Sequence, residues 1–128
     1  MTTEDNKALI RRYLDALGGK EKPPALVNQY VAESDEDLRQ HIAMAEAGFP
    51  RYELPPDDII AEGDKVVVRA TMRATHLGEF FGVPATGKEV NMPLIIIYRI
   101  ADGRIVEHWI QMDVFGLMQQ LGAIPVPA

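Results

Sequence analysis

The sequence predicts an α+β domain, with helices in its first half packed on an antiparallel sheet formed by its second half. Two observations carry this. Up to residue 50, apolar residues recur at helical spacing, between capping residues and Gly or Pro breaks. Beyond it they alternate, in runs punctuated by Gly63-Asp64 and Asp102-Gly103. A curved sheet covered by helices leaves space between the layers, and a pocket for an apolar small molecule is expected there.

Thr2 or Thr3 can cap a first helix, with Glu4 and Asp5 placed where negative charge suits the helix dipole. Leu9, Ile10, Tyr13, Leu14 and Leu17 form its apolar stripe, and Gly18-Gly19 ends it. Pro23-Pro24 opens a short second helix carrying Leu26, Val27, Tyr30 and Val31. Ser34, followed by Asp35, Glu36 and Asp37, reads as the N-cap of a third helix that runs to Gly48 and Pro50.

Four strands follow. Residues 52–62 contain Pro55-Pro56, which suits an edge strand. Residues 65–76 alternate, with Val66, Val68, Ala70, Met72, Ala74 and His76 on one face. Residues 88–101 and 104–114 are joined by Asp102-Gly103, the strongest hairpin signal in the chain. A short helix over residues 115–121 is stopped by Gly122. No repeat or linker divides the chain, so residues 1–128 are expected to form a single domain.

Counting outward from a two-residue turn pairs Tyr98 with Glu107, Ile96 with Trp109, Leu94 with Gln111 and Met92 with Asp113. Opposed residues point to one face. That face then holds Tyr98, Trp109, Gln111 and Asp113, while Ile95, Ile97, His108, Ile110 and Met112 take the other. Both faces are apolar enough to be covered, one by core and pocket, the other by a second subunit in a homodimer.

Composition excludes several functions. Lys plus Arg total 13 against 19 Asp plus Glu, for a formal charge of -6, so a nucleic-acid partner is not expected. There is no cysteine, hence no disulfide, thiolate metal site or cysteine nucleophile. The only serine, Ser34, is assigned to a helix cap, which leaves no serine nucleophile. The three histidines are scattered, so no metal site is expected, and the glycines at 78, 82 and 87 lack a dinucleotide fingerprint. No apolar run is long enough for a membrane span, and the polar, acidic first residues are not those of a secretory signal. The expected compartment is the cytoplasm.

Asp113 is the sharpest chemical candidate. On an apolar, aromatic-bearing face its carboxyl would resist ionisation and could serve as a general acid or base. It could equally cap the last helix. His76 could hydrogen-bond a substrate carbonyl or shuttle a proton, or simply end a strand. His108 reads as a structural or interface histidine. Trp109, Gln111, Tyr98, Met92 and the loop residues Phe80 and Phe81 are the expected pocket wall and rim.

These residues resemble a known family. Phe49-Pro50, the run from Ile59 to Arg69, the segment Thr75-His76-Leu77-Gly78-Glu79-Phe80-Phe81-Gly82-Val83-Pro84 and the stretch from Asp102 through Trp109 to Asp113 and Gly122 are similar to SnoaL-like polyketide cyclases. The resemblance implies the nuclear transport factor two-like cone, a strongly bent sheet around a pocket, often dimeric. It implies an intramolecular aldol cyclase working without metal or cofactor, with Asp113 as acid/base. Where the family carries an aspartate after Phe-Pro, this chain has Arg51. Three functions compete on these grounds: an acid/base cyclase or isomerase acting on a polyketide-like ketone, a non-catalytic binding module, and an epoxide hydrolase.

Overall fold

A computed structural model describes residues 2–124. The outermost residues of the expected 1–128 domain lie outside that range. The order is α1 (Thr3–Leu17), α2 (Pro24–Tyr30), α3 (Glu36–Gly48), β1 (Pro56–Glu62), β2 (Lys65–Thr75), β3 (Glu89–Ala101), β4 (Arg104–Met112) and α4 (Val114–Gln120). The strands form one curled, unclosed antiparallel sheet in the order β1-β2-β3-β4, which makes the proline-bearing β1 an edge strand. The α+β prediction holds.

Local chemistry sets the helix ends. The Thr2 hydroxyl accepts from the Asp5 N–H at 3.1 Å and the Asp5 carboxylate accepts from the Thr2 N–H at 2.9 Å, a reciprocal cap. The apolar stripe of α1 is buried against the sheet. The cap of α3 is Asp35 and not Ser34: the Leu38 N–H donates to Asp35 Oδ1 at 3.1 Å. The Ser34 hydroxyl instead donates to the carbonyl of Val106 on β4 at 3.0 Å.

One buried cation rivets the helical layer. The Lys22 side chain is 1% exposed. Its ammonium donates to Glu46 at 2.9 Å and to the carbonyls of Lys20 and Tyr52 at 2.9 and 3.0 Å, and it lies 4.1 Å from the Tyr52 ring centre. Three donors meet three acceptors, so the charge is buried without an orphan.

The Asp102-Gly103 turn forms as expected, with φ of 52 and 74° and Ala101 opposite Arg104. The register beyond it does not. Ile100 pairs with Ile105, but Arg99 pairs with Glu107, so β4 carries one extra residue at Val106. Every later residue of β4 is thereby turned over. His108 faces Tyr98, Ile110 faces Ile96 and Met112 faces Leu94, all on the inner side. Trp109, Gln111 and, beyond the strand, Asp113 are exposed, with Trp109 and Gln111 on the outer side. The expected grouping of Trp109, Gln111 and Asp113 with Tyr98 is therefore corrected.

The bulge is braced from outside. Ile105 accepts from the Ala32 N–H at 2.8 Å and Val106 from Ser34 at 3.0 Å, so the link between α2 and α3 takes up carbonyls that the irregular strand frees. Deleting Val106 is expected to rotate His108, Ile110 and Met112 toward water. Exposing three such side chains costs on the order of 5 kcal/mol, comparable to the whole stability of a small domain. Urea denaturation should find the deletion variant largely unfolded. A variant with wild-type stability would refute the bulge.

Candidate functional site

The inner polar residues gather where β4 passes the start of α3. His108 Nδ1 lies 2.8 Å from Asp35 Oδ2 and 3.0 Å from Oδ1. Asp35 is 5% exposed and the His108 side chain 9%. A carboxylate can only accept, so a ring proton sits on Nδ1, and in its neutral form the ring would present a lone pair at Nε2. A base oriented by a buried carboxylate through its far nitrogen is the arrangement that general-base histidines use.

Aromatic residues close in around the pair. Tyr98 is directly across the strand pair from His108 and fully buried. The rings of Tyr13 and Tyr98 meet edge to face at 5.7 Å, and Tyr30 lies 5.7 Å from Tyr13. Burial first, then the charge of Tyr52 and of Asp35, holds the Tyr98 phenol above its ordinary ionisation range. His41, on α3, is held below the ordinary histidine value, by burial first and then by the charge of His108.

Further along the inner face the lining becomes methionine. Met72, Met92 and Met112 meet His41, Phe49 and Phe80 around a cavity of about 30 Å³, room for a water molecule or two. Methionine is the most deformable of apolar side chains, so these walls can repack around a larger guest. Phe80 and Phe81 roof the cavity: Phe80 packs on Phe49 at 4.9 Å, and Phe81, at φ 46°, stays 60% exposed. Met92, Phe80 and Phe81 line this cavity, whereas Tyr98 lies across the strand pair from His108.

His76 stands apart. It directly follows β2, ten residues beyond Val66, the partner of Tyr98. It is fully buried. Its Nδ1 accepts from the Thr86 N–H at 3.1 Å and lies 3.0 Å from the Thr86 hydroxyl, so the ring holds the 77–87 loop down. Its ring packs on Phe49 at 5.2 Å, and neither His108 nor Asp35 is among its hydrogen-bond partners. Asp113 is exposed, caps α4 through the Gly116 N–H at 2.9 Å and does not face the His108 pair. Gly116 is required there, since a Cβ would collide with the Asp113 carboxylate. No group of residues able to hold a metal ion occurs among the described residues, and no helix is long and apolar enough to cross a membrane.

Sequence reasoning missed Asp35, His41 and the inward His108. One signal was available. The unbulged register places Glu107 opposite the buried Tyr98, whereas the bulge brings Glu107 out to Arg99, with a 2.9 Å ion pair.

The site makes a pH prediction. An imidazole held low in the fold takes up its proton more readily once unfolded, so the unfolded chain binds more protons below its ordinary value of about 6.5. His41 therefore favours the fold above that pH, and this contribution is lost as the pH falls. Thermal melts between about pH 7 and 5 should show a steeper acid-side loss for the wild type than for His41→Gln. Parallel curves would mean that His41 titrates as it does in water.

Comparisons agree with this architecture. Residues 20–121 match the family described as SnoaL-like polyketide cyclase. The aklanonic acid methyl ester cyclase DauD of Streptomyces sp. (strain C5) is 35% identical over 128 residues, covering 89% of this chain and 80% of DauD. Among solved structures, AclR from Streptomyces galilaeus superposes with a TM-score of 0.84 at 30% identity, covering 98% of this chain and 87% of AclR. TsrD from Streptomyces laurentii gives 0.82 at 29%, covering 97% and 99%. With its curled sheet, its inner site and a match across most of its length, the chain belongs to the SnoaL-like polyketide cyclase family.

Proposed function

We propose that this chain is an acid/base enzyme that closes or isomerises a ring in an apolar, polyketide-like ketone. The observation that carries this is the His108–Asp35 pair on the inner face, 2.8 Å apart. His108 Nε2 would remove a proton beside a carbonyl, and Asp35 would stabilise the imidazolium so formed. The enolate carbon then attacks a second carbonyl of the same molecule. The new alkoxide recovers the proton from His108, so the ring closes with no net change in protons. The methionine walls under Phe80 and Phe81 would hold the apolar body. The curated relative's named activity, cyclisation of aklanonic acid methyl ester, supports this reading.

A binding-module reading has its own support. Asp35 also caps α3, so the pair could serve only to pin that helix to β4. Substitutions separate the two. Asparagine is as good a cap as aspartate, so Asp35→Asn keeps the cap and loses the charge. With aklanonic acid methyl ester or a simpler diketone as substrate, His108→Gln and Asp35→Asn should each lower turnover by about a hundredfold or more. Folding should persist, as read by circular dichroism. Unchanged turnover in both would leave a pin. Loss confined to Asp113→Asn would return the chemistry to Asp113.

The outer face fits a second copy of the chain. Ile60, Ile95 and Trp109 are 59, 46 and 43% exposed there, an apolar patch bordered by Arg69, Asp57 and Gln111. Charges of both signs suit the self-complementary contact of a two-fold dimer. Sedimentation should show a dimer for the wild type and a monomer for Trp109→Glu. A wild type that sediments as a monomer would end this part of the proposal.

A further inference from the structure

The cavity under Phe80 and Phe81 has one polar side chain in its wall, His41. His41, Met44 and Ala45 stand at i, i+3 and i+4 of α3, on one face of the helix, and all three border the cavity. Of the three histidine rings, those of His76 and His108 are hydrogen-bonded and that of His41 is not, among the described residues. The His41 ring is half-buried, and neither of its nitrogens is sealed away. Burial first, and then the charge of His108, holds it below the ordinary histidine value, so near neutral pH it carries one N–H and one lone pair. Met44 and Phe81 are the lining residues that are also largely exposed, so they form the outer wall. Phe80 and Val83 exchange backbone hydrogen bonds of 3.0 and 2.9 Å across a two-residue turn, and Phe81 takes its first position at φ 46°, where Asn or Gly is favoured. That costly position lays the Phe81 ring on Phe80, at 4.4 Å, at the edge of the cavity.

We propose that His41 is the ligand-recognition residue of this cavity: its N–H donates to a carbonyl oxygen of a guest whose ring-bearing apolar body lies among the methionines. The inference deepens the ketone-acting reading of the preceding section, and rests on it for the class of ligand but not for any role of His108 or Asp35. A carbonyl that leaves water for an apolar cavity loses its hydrogen bonds, which is costly unless a donor replaces them. The sulfurs of Met72, Met92 and Met112 accept weakly and have no proton to give. Among the lining side chains, only His41 can supply the donor. One polar group in an apolar wall fixes which way round a guest sits. No partner fixes the tautomer of His41, so the proton can take whichever nitrogen faces the oxygen. A neutral imidazole polarises a carbonyl without surrendering that proton, which makes the neighbouring C–H more acidic. The charge of His108 is felt at His41, so this cavity and the His108–Asp35 pair share one electrostatic neighbourhood.

Acetophenone and α-methylstyrene test this with the full chain. They share one shape and differ only in carrying an oxygen or a CH2 group. At about pH 8, where His41 is neutral, the wild type should bind both saturably in equilibrium dialysis. His41→Leu should move the ratio of the two affinities about fivefold toward the alkene, the worth of one neutral hydrogen bond. It should bind the alkene itself at least as well as the wild type does. His41→Gln keeps a donor and should restore most of the ratio. The infrared carbonyl band of bound acetophenone should lie at lower frequency in the wild type than in His41→Leu, a shift that a merely structural histidine would not produce. Should His41→Leu fail to fold, nitrogen resonances of the wild type decide: those of the His41 ring must respond to acetophenone and not to α-methylstyrene. A ratio or a carbonyl band unchanged in His41→Leu, or a wild type that binds neither compound, would overturn the proposal. The two readings fail separately. A ratio indifferent to His41, beside a His108→Gln that abolishes cyclisation, refutes this inference alone. A ratio set by His41 in a protein that turns over no diketone refutes the enzyme and keeps the recognition site.

Discussion

One extra residue in β4 governs the chemistry of this interior. Side chains alternate along a strand, so a single bulge exchanges the two faces of everything beyond it. With Val106 inserted opposite Arg99, the sheet turns His108 inward to Asp35 and Tyr98, and sends Trp109 and Gln111 outward. Without it the same residues would bury Glu107 beside Tyr98 and put His108 in water. The energetic preference is clear from the pairs. Burying a carboxylate opposite an apolar-bedded tyrosine costs several kcal/mol, while Arg99 and Glu107 at 2.9 Å on the surface cost almost nothing.

The bulge in turn depends on the helical layer. Its freed carbonyls are taken by Ala32 and Ser34, in the same short link that ends in the Asp35 cap. Three jobs therefore meet in five residues: pairing with β4 at Val31, bracing the bulge and placing the carboxylate that orients His108. A site assembled this way is rigid at its polar end. At the other end it is built from methionines, side chains suited to give way, beneath Phe80 and Phe81 on a loop pinned by His76 and Thr86. A rigid polar end and a deformable apolar wall are what the proposed base, acting on a bulky ketone, would require.

The fold was almost wholly legible in the sequence, because its signals are local. Helical spacing, Pro23-Pro24, Gly18-Gly19 and Asp102-Gly103 each fix a neighbourhood without knowledge of the rest, and the elements lie within a few residues of where those signals place them. The site was legible only in part. Its make-up depends on the phase of β4, and phase is a non-local property, tied here to the 31–35 link that braces the bulge. A count from the hairpin turn carries no term for a bulge, so Trp109, Gln111 and Asp113 were assigned to the face of Tyr98. Residues whose face was set by their own strand, Tyr98 and Met92, fell on the inner side as expected. Asp35 was hidden for another reason: adjacent to Ser34, it read as one acidic residue in a first helical turn.

That double use of Asp35 bears on how the site could have arisen. As a cap it already sits buried at the start of α3, with Oδ1 committed to the Leu38 N–H. A histidine turned inward across from it then acquires an orienting carboxylate with no further burial of charge, since the desolvation was already offset by the cap. The reverse order is costlier, because an inward His108 facing no carboxylate would leave Nδ1 unpaired inside an apolar layer. The cap therefore lowers the cost of turning a histidine inward at position 108. The cap and the proposed catalytic role are separable by substitution: asparagine can satisfy the helix end but lacks the charge that would stabilise an imidazolium.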